Sequence, residues 1–214
     1  MEDNRIRIID EMMRKLRRTA LEREMSVSDV VHEALAGSIF FQETGVNFYD
    51  VIHSIEKSMN ETKHFIINVD LRNYAVIVKS PLRYVHRPEL KYEIKISQTD
   101  YAVAGRMSAG LRSQDINTVR YFSAFLSLWI DLETAYFAAS PGERIEYITD
   151  IGYFSRKIYM PAGHKDSRGI GAAISDYIRV FDELFKYYYY RPNNGRGEIE
   201  KIYRGYVQNG KLKI

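Results

Sequence analysis

Residues 90–96 read LKYEIKI, the strict alternation of a strand with one face buried. Leu90, Tyr92, Ile94 and Ile96 fall on one side, and Lys91, Glu93 and Lys95 on the other. The same period recurs to either side. Phe65–Val69 and Tyr74–Val78 are joined by the polar Asp70–Asn73, a connection that suits a hairpin. Tyr101, Val103, Gly105, Met107 and Ala109 form a fourth strand, whose small residues at 102, 104 and 108 leave room for a helix or a ligand. Pro81 and Pro88 bracket the middle connection. The stretch reads as a four-strand antiparallel meander.

Helical spacing takes over outside it. Phe48, Val51, Ile52, Ile55 and Met59 make an amphipathic helix before the sheet. After it, Asp115 to Ala138 is the most apolar helix, with Phe122, Phe125, Trp129 and Leu132 among its inward residues. Ser140-Pro141 should stop that helix and start another, from Gly142 to about Tyr159. Pro161–Gly171 reads as a loop, and Ile170 to Tyr189 as a helix with Ile174, Ile178, Phe181, Leu184 and Phe185 inward. The tail looks strand-like, with Asn209-Gly210 marking a tight hairpin within Val207–Leu212. A sheet with helices packed on it makes residues 46–214 an α+β domain.

Composition narrows the function classes. The chain has 214 residues, 45% hydrophobic and 28% charged, as in an ordinary globular protein. Its 31 Lys+Arg against 28 Asp+Glu leave a net charge of +3, a slight tilt toward anionic partners. With no cysteine, disulfides, thiol chemistry and Cys-based zinc sites are excluded. No apolar leader follows Met1, and the longest apolar candidate, Phe122–Ala139, carries Asp131 and Glu133. The expectation is a cytoplasmic protein with no membrane partner.

Catalytic constellations are absent from the pattern. His32, His53, His64, His86 and His164 have no metal-ligand spacing, and no cofactor motif appears. Asp131 and Glu133, two apart on a helix, face different ways and make no acid/base pair. The basic loop Gly163–Gly171 could cradle an anion but lacks both Walker spacing and a preceding strand. The reading is therefore no catalytic residue, no metal and no enzyme. An enzymatic alternative would need a pocket between Ala102–Ser108 and the Trp129 helix. Residues 186–214 hold seven basic side chains against two acidic ones, beside Tyr187–Tyr190. Those tyrosines suit packing on the core, with an auxiliary DNA contact as the lesser use.

The N-terminal residues 4–41 read NRIRIIDEMMRKLRRTALEREMSVSDVVHEALAGSIFF. Residues 4–8 alternate, with Arg5 and Arg7 on one side and Ile6 and Ile8 on the other. From Asp10 the period becomes helical through Met12, Met13, Leu16 and Ala20. Ser26 then caps a second helix, and Val27, Val30, Val31, Ala34 and Leu35 keep its apolar face. Strand, helix, turn and helix in so few residues leave apolar faces that one copy cannot cover.

This pattern resembles the ribbon-helix-helix DNA-binding domain, register for register over Asp10–Leu35. The resemblance implies a swapped homodimer, or a dimer of dimers, whose paired strands form a ribbon in the major groove of double-stranded DNA. It would place Asp3, Arg5 and Arg7 on base edges, and Ser26, Val27 and Ser28 on a backbone phosphate at the helix N-terminus. Ile6, Ile8, Leu16, Val27, Val30, Val31 and Leu35 would make the shared core. Two positions depart from the family pattern: Glu24 stands where Gly is usual, and Asn4 where an apolar residue is usual. Residues 1–38 hold seven basic and eight acidic side chains, which leaves little non-specific phosphate attraction. The expected organisation is a DNA-binding and dimerisation domain at 1–42, then the α+β domain at 46–214 for oligomerisation or sensing a small-molecule effector. The expected function is a transcriptional repressor. The alternative is an antitoxin or plasmid-maintenance protein whose C-terminal domain binds a protein partner.

Overall fold

A computed structural model describes residues 2–23, 25–31, 34, 46–83, 88–99, 102–137, 145–161, 166–191 and 196–212. Its elements are α1 (Glu2–Glu22), α2 (Phe48–Asn60), β1 (Ile66–Asp70), β2 (Ala75–Pro81), β3 (Glu89–Thr99), β4 (Ala102–Arg112), α3 (Ile116–Phe137), β5 (Tyr147–Asp150), β6 (Tyr153–Pro161), α4 (Ser167–Tyr190) and α5 (Arg196–Gln208). Residues 27–31 are also helical.

The sheet is six-stranded and antiparallel throughout, in the order β1-β2-β3-β4-β6-β5. The meander is present as read, with Leu90, Tyr92, Ile94 and Ile96 all buried. Register aligns Val78, Tyr92, Ala109 and Phe154 across one row and Val76, Ile94, Met107 and Arg156 across the next. These rows face the helices. The other face is solvated and charged, with Glu93 Oε2 3.3 Å from Lys91 Nζ and Oε1 3.1 Å from Lys95 Nζ.

Above the sheet lies a dense aromatic layer. Phe125 and Trp129 of α3 stand 5.3 and 4.8 Å from Phe181 of α4, and Tyr203 of α5 lies 5.2 Å from Trp129. Phe154 and Tyr92 of the sheet meet Phe181 at 5.9 and 5.8 Å. Offset and edge-on rings at these separations add to simple burial. The helix α2 packs on α4 at a point of close approach. A Cβ on Gly171 would fall 2.5 Å from Ser54 Cβ and 2.7 Å from the Val51 carbonyl oxygen.

Three expectations are corrected. The helix expected over 142–159 is the hairpin β5–β6. Ile148, Ile151 and Phe154 happen to fit helical spacing, but Gly152 has φ +71 and turns the chain. Phe154, Arg156 and Ile158 then alternate into the core. The tail is the helix α5, not a hairpin. Asn209-Gly210 does make a turn, with Gly210 at φ +70, but it closes a helix. Lys211 N donates to the Tyr206 carbonyl and Gly210 N to that of Val207, both at 3.0 Å. Inward residues four apart, Ile199 and Tyr203, decide between the two uses of the same dipeptide. Finally, the loop expected to run to Gly171 is shorter, because Asp166 accepts from Gly169 N at 2.7 Å and caps α4.

The N-terminus also differs. Residues 4–8, expected as a strand, are the first turns of α1 in this single chain. A ribbon strand has partners for its backbone N–H and C=O groups only when a second chain pairs with it. Alone, a run rich in Arg, Ile, Glu and Met satisfies those groups within a helix. No helix of the described residues is long and apolar enough to cross a membrane.

Candidate functional site

Three places hold the groups that could carry function. At the N-terminal unit, Asp3, Arg5 and Arg7 lie on the backbone of α1. Helix positions two apart are rotated by about 200°, so this backbone does not line Arg5 and Arg7 up as a strand would. Ser26 is placed as expected. Its Oγ accepts from Asp29 N at 3.1 Å while Asp29 Oδ2 accepts from Ser26 N at 3.3 Å, a reciprocal cap at the start of the second helix. Val30 is buried, whereas Leu16, Val27 and Val31 are only half-buried, and Met12 and Leu21 stand 55% and 83% exposed. The Arg23 guanidinium lies 5.6 Å from the centre of the Tyr49 ring. Leu35, Glu24 and His32 lie outside the described residues.

The second place is a buried charge at the centre of the core. Arg156 Nη1 donates to Glu133 Oε1 at 2.5 Å, and Tyr177 OH donates to the same oxygen at 2.8 Å. Trp129 Nε1 donates to Tyr177 OH at 2.8 Å, and the Arg156 guanidinium lies 4.9 Å from the Tyr177 ring centre. Burial pushes the Glu133 carboxyl above its ordinary range, against the opposing pull of Arg156 and the Tyr177 hydroxyl. Burial and the Glu133 charge push the Tyr177 and Tyr203 hydroxyls up as well. A Cβ on Gly105 would fall 2.6 Å from the Lys95 carbonyl oxygen of the neighbouring strand. The cluster joins α3, β6 and α4.

The third place is a cavity of about 830 Å³ where the α2–β1 turn, the end of β2 and the second half of α4 meet. Its floor is an ion pair. Asp182 accepts from Lys186 Nζ at 2.8 Å and from Tyr92 OH at 3.0 Å, and His64 Nε2 lies 3.5 Å from it. Lys186 Nζ also donates to Ser80 Oγ at 2.6 Å. Asp182 is 2% exposed, so its charge is held by these donors rather than by water. Sequence reasoning passed over both Asp182 and Glu133 as sites. The signal was present: Asp182 follows Ile178 by four residues and Glu133 follows Trp129 by four, so each carboxylate stands on an inward stripe.

Of the histidines, His53 pairs with Glu56 at 3.2 Å, and His86 and His164 lie outside the described residues. Among the described residues no group of His, Asp and Glu is placed to hold a metal ion. Of the four tyrosines ending α4, Tyr187, Tyr188 and Tyr189 are half-buried, with Tyr188 5.7 Å from Phe125. No family model, curated protein or solved structure matches this chain.

Proposed function

We propose that this chain is a sequence-specific DNA-binding transcriptional regulator, acting as a repressor through a ribbon formed by two N-terminal segments. The observation that carries the reading is the reciprocal Ser26–Asp29 cap, which opens a second helix where the ribbon-helix-helix resemblance requires one. On pairing, residues 4–8 leave α1 and extend, so the backbone bonds of the first helical turns are exchanged for those of a two-stranded ribbon. Arg5 and Arg7 then share one face and can each bond guanine O6 and N7. Val27 and Ser28, in the first turn of the second helix, present N–H groups to a phosphate. The α+β domain serves oligomerisation or effector binding.

A footprint on the DNA upstream of the chain's own gene, run at two salt concentrations, tests the reading. A protected site of fixed sequence supports it. Binding that is equal on all sequences and vanishes with salt rejects it.

The antitoxin alternative draws on a different surface. The edge strand β5 carries Ile148 at 53% exposure, and Ile151 beside it stands at 75%. An open edge flanked by apolar side chains can accept a strand from a protein partner. Co-purification of a neighbouring gene's product through this edge would favour that reading.

A further inference from the structure

The cavity over Asp182 has a charge excess with a definite sign. Among the described residues it is lined by Lys63, Arg83, Arg179 and Lys186, by the carboxylates of Asp182 and Glu183, and by His64. Two of these cations are committed. Arg179 binds Thr62 Oγ1 at 3.2 Å, Asp176 Oδ1 at 3.1 Å and Ser58, and Lys186 is held between Asp182 and Ser80. Glu183 is an exposed carboxylate on the same lining. The Lys63 and Arg83 side chains, both exposed, have no ion pair or hydrogen bond among the described residues. Among the described residues, then, the floor is satisfied and the rim holds two cations beside the one carboxylate of Glu183.

Phe65, Ile66, Pro81 and Tyr190 give the same cavity an apolar wall. Tyr190 is fixed in place, since its hydroxyl accepts from Arg83 N at 2.6 Å. That bond also sets the Arg83 backbone beside the ring. A volume of about 830 Å³ is within the range that encloses a small organic molecule. Two rim cations against the one Glu183 carboxylate suit an anion, and a phosphate monoester offers an oxygen to each of them.

We propose that this cavity binds a small organic phosphate with a flat apolar body, of the nucleoside monophosphate or aryl phosphate kind. Lys63 and Arg83 hold the phosphate, and Ile66 and Tyr190, both exposed, flank the body. The satisfied Asp182–Lys186 pair keeps the floor rigid and supplies no free carboxylate to repel the ligand. The site stands apart from DNA binding, and would give the regulator proposed above its effector.

Calorimetric titration of the chain in the absence of DNA tests it, with phenyl phosphate, adenosine 5′-monophosphate, adenosine and inorganic phosphate as probes. At least one ester binds with Kd below about 1 mM, and adenosine and inorganic phosphate each bind about tenfold more weakly or worse. The Lys63→Ala/Arg83→Ala double variant loses about tenfold or more in ester affinity while its thermal midpoint stays unchanged, because both side chains lie on the rim. The proposal is overturned if neither ester binds, if the double variant binds as tightly as the parent, or if either fragment matches its ester. A failure here leaves the footprint result standing, and the reverse also holds.

Discussion

Arg156 Nη1 lies 2.5 Å from Glu133 Oε1, with both side chains shut off from solvent between β6, α3 and α4. Such a pair is strongly held only while both members remain. Removing one leaves a buried charge uncompensated, at a cost of about 3–5 kcal/mol. Glu133→Ala and Arg156→Ala should each lower the denaturation midpoint steeply. The Glu133→Leu/Arg156→Met double variant should recover most of the loss, because it buries no charge. A double variant no better than the singles would show that the pair positions the helices in a way apolar packing cannot replace.

Close approach of α2 and α4 depends on Gly171. A methyl group there meets Ser54 Cβ and the Val51 carbonyl oxygen, and the second is backbone that cannot turn aside. Gly171→Ala should cost about 1–3 kcal/mol in urea unfolding. Adding Ser54→Gly should restore only part of it, since the carbonyl remains.

The β1–β2 turn carries a pH dependence of known sign. The hydrogen bond from Asn73 Nδ2 to Asp70 Oδ2, at 2.8 Å, is the main cause that holds the Asp70 carboxyl below its ordinary value. Burial opposes it, and the backbone N–H groups of Asn73 and Arg72 and the Arg72 charge add to it. A carboxyl depressed on folding contributes stability above its unfolded pKa and loses it as pH falls through the folded value. Asp70→Asn should therefore flatten the acid limb of the stability curve. Asn73→Ala should move the Asp70 titration upward, read by NMR. An Asp70 titration unmoved by Asn73→Ala would contradict the assignment.

Leu16, in the N-terminal unit, is half-buried in a single chain. If two chains share that unit, Leu16→Glu should convert dimers to monomers in sedimentation while the thermal midpoint of the α+β domain holds. A parent chain that already sediments as a monomer at high concentration would remove the dimer from the account.

How much of this was legible in the sequence follows from which interactions set each element. The strands around Leu90–Ile96 alternate because one face is buried, and the period survives any detail of packing. The helices carrying Phe125 and Phe181 were equally plain. The hairpin at β5–β6 was missed because two short strands about a Gly152 turn place apolar residues at helical intervals by coincidence. At Asn209-Gly210 the left-handed glycine was recognised but its context was not, since hairpins and helix ends need the same backbone. The site residues were harder. Asp182 and Tyr92 are 90 positions apart, and His64 and Ser80 come from still other elements, so only the fold gathers them. Residues 4–8 illustrate a further limit: their alternation fits a strand, yet in this single chain they form the first turns of α1.

The central claim is that Arg5 and Arg7 read base edges. Its most direct measurement is equilibrium binding of the parent chain, Arg5→Ala and Arg7→Ala to the footprinted site and to a scrambled duplex. Each substitution should cost about 1–3 kcal/mol on the specific site, leave dimers intact, and change scrambled-duplex binding little. Unaltered affinity for the specific site in both variants would contradict it.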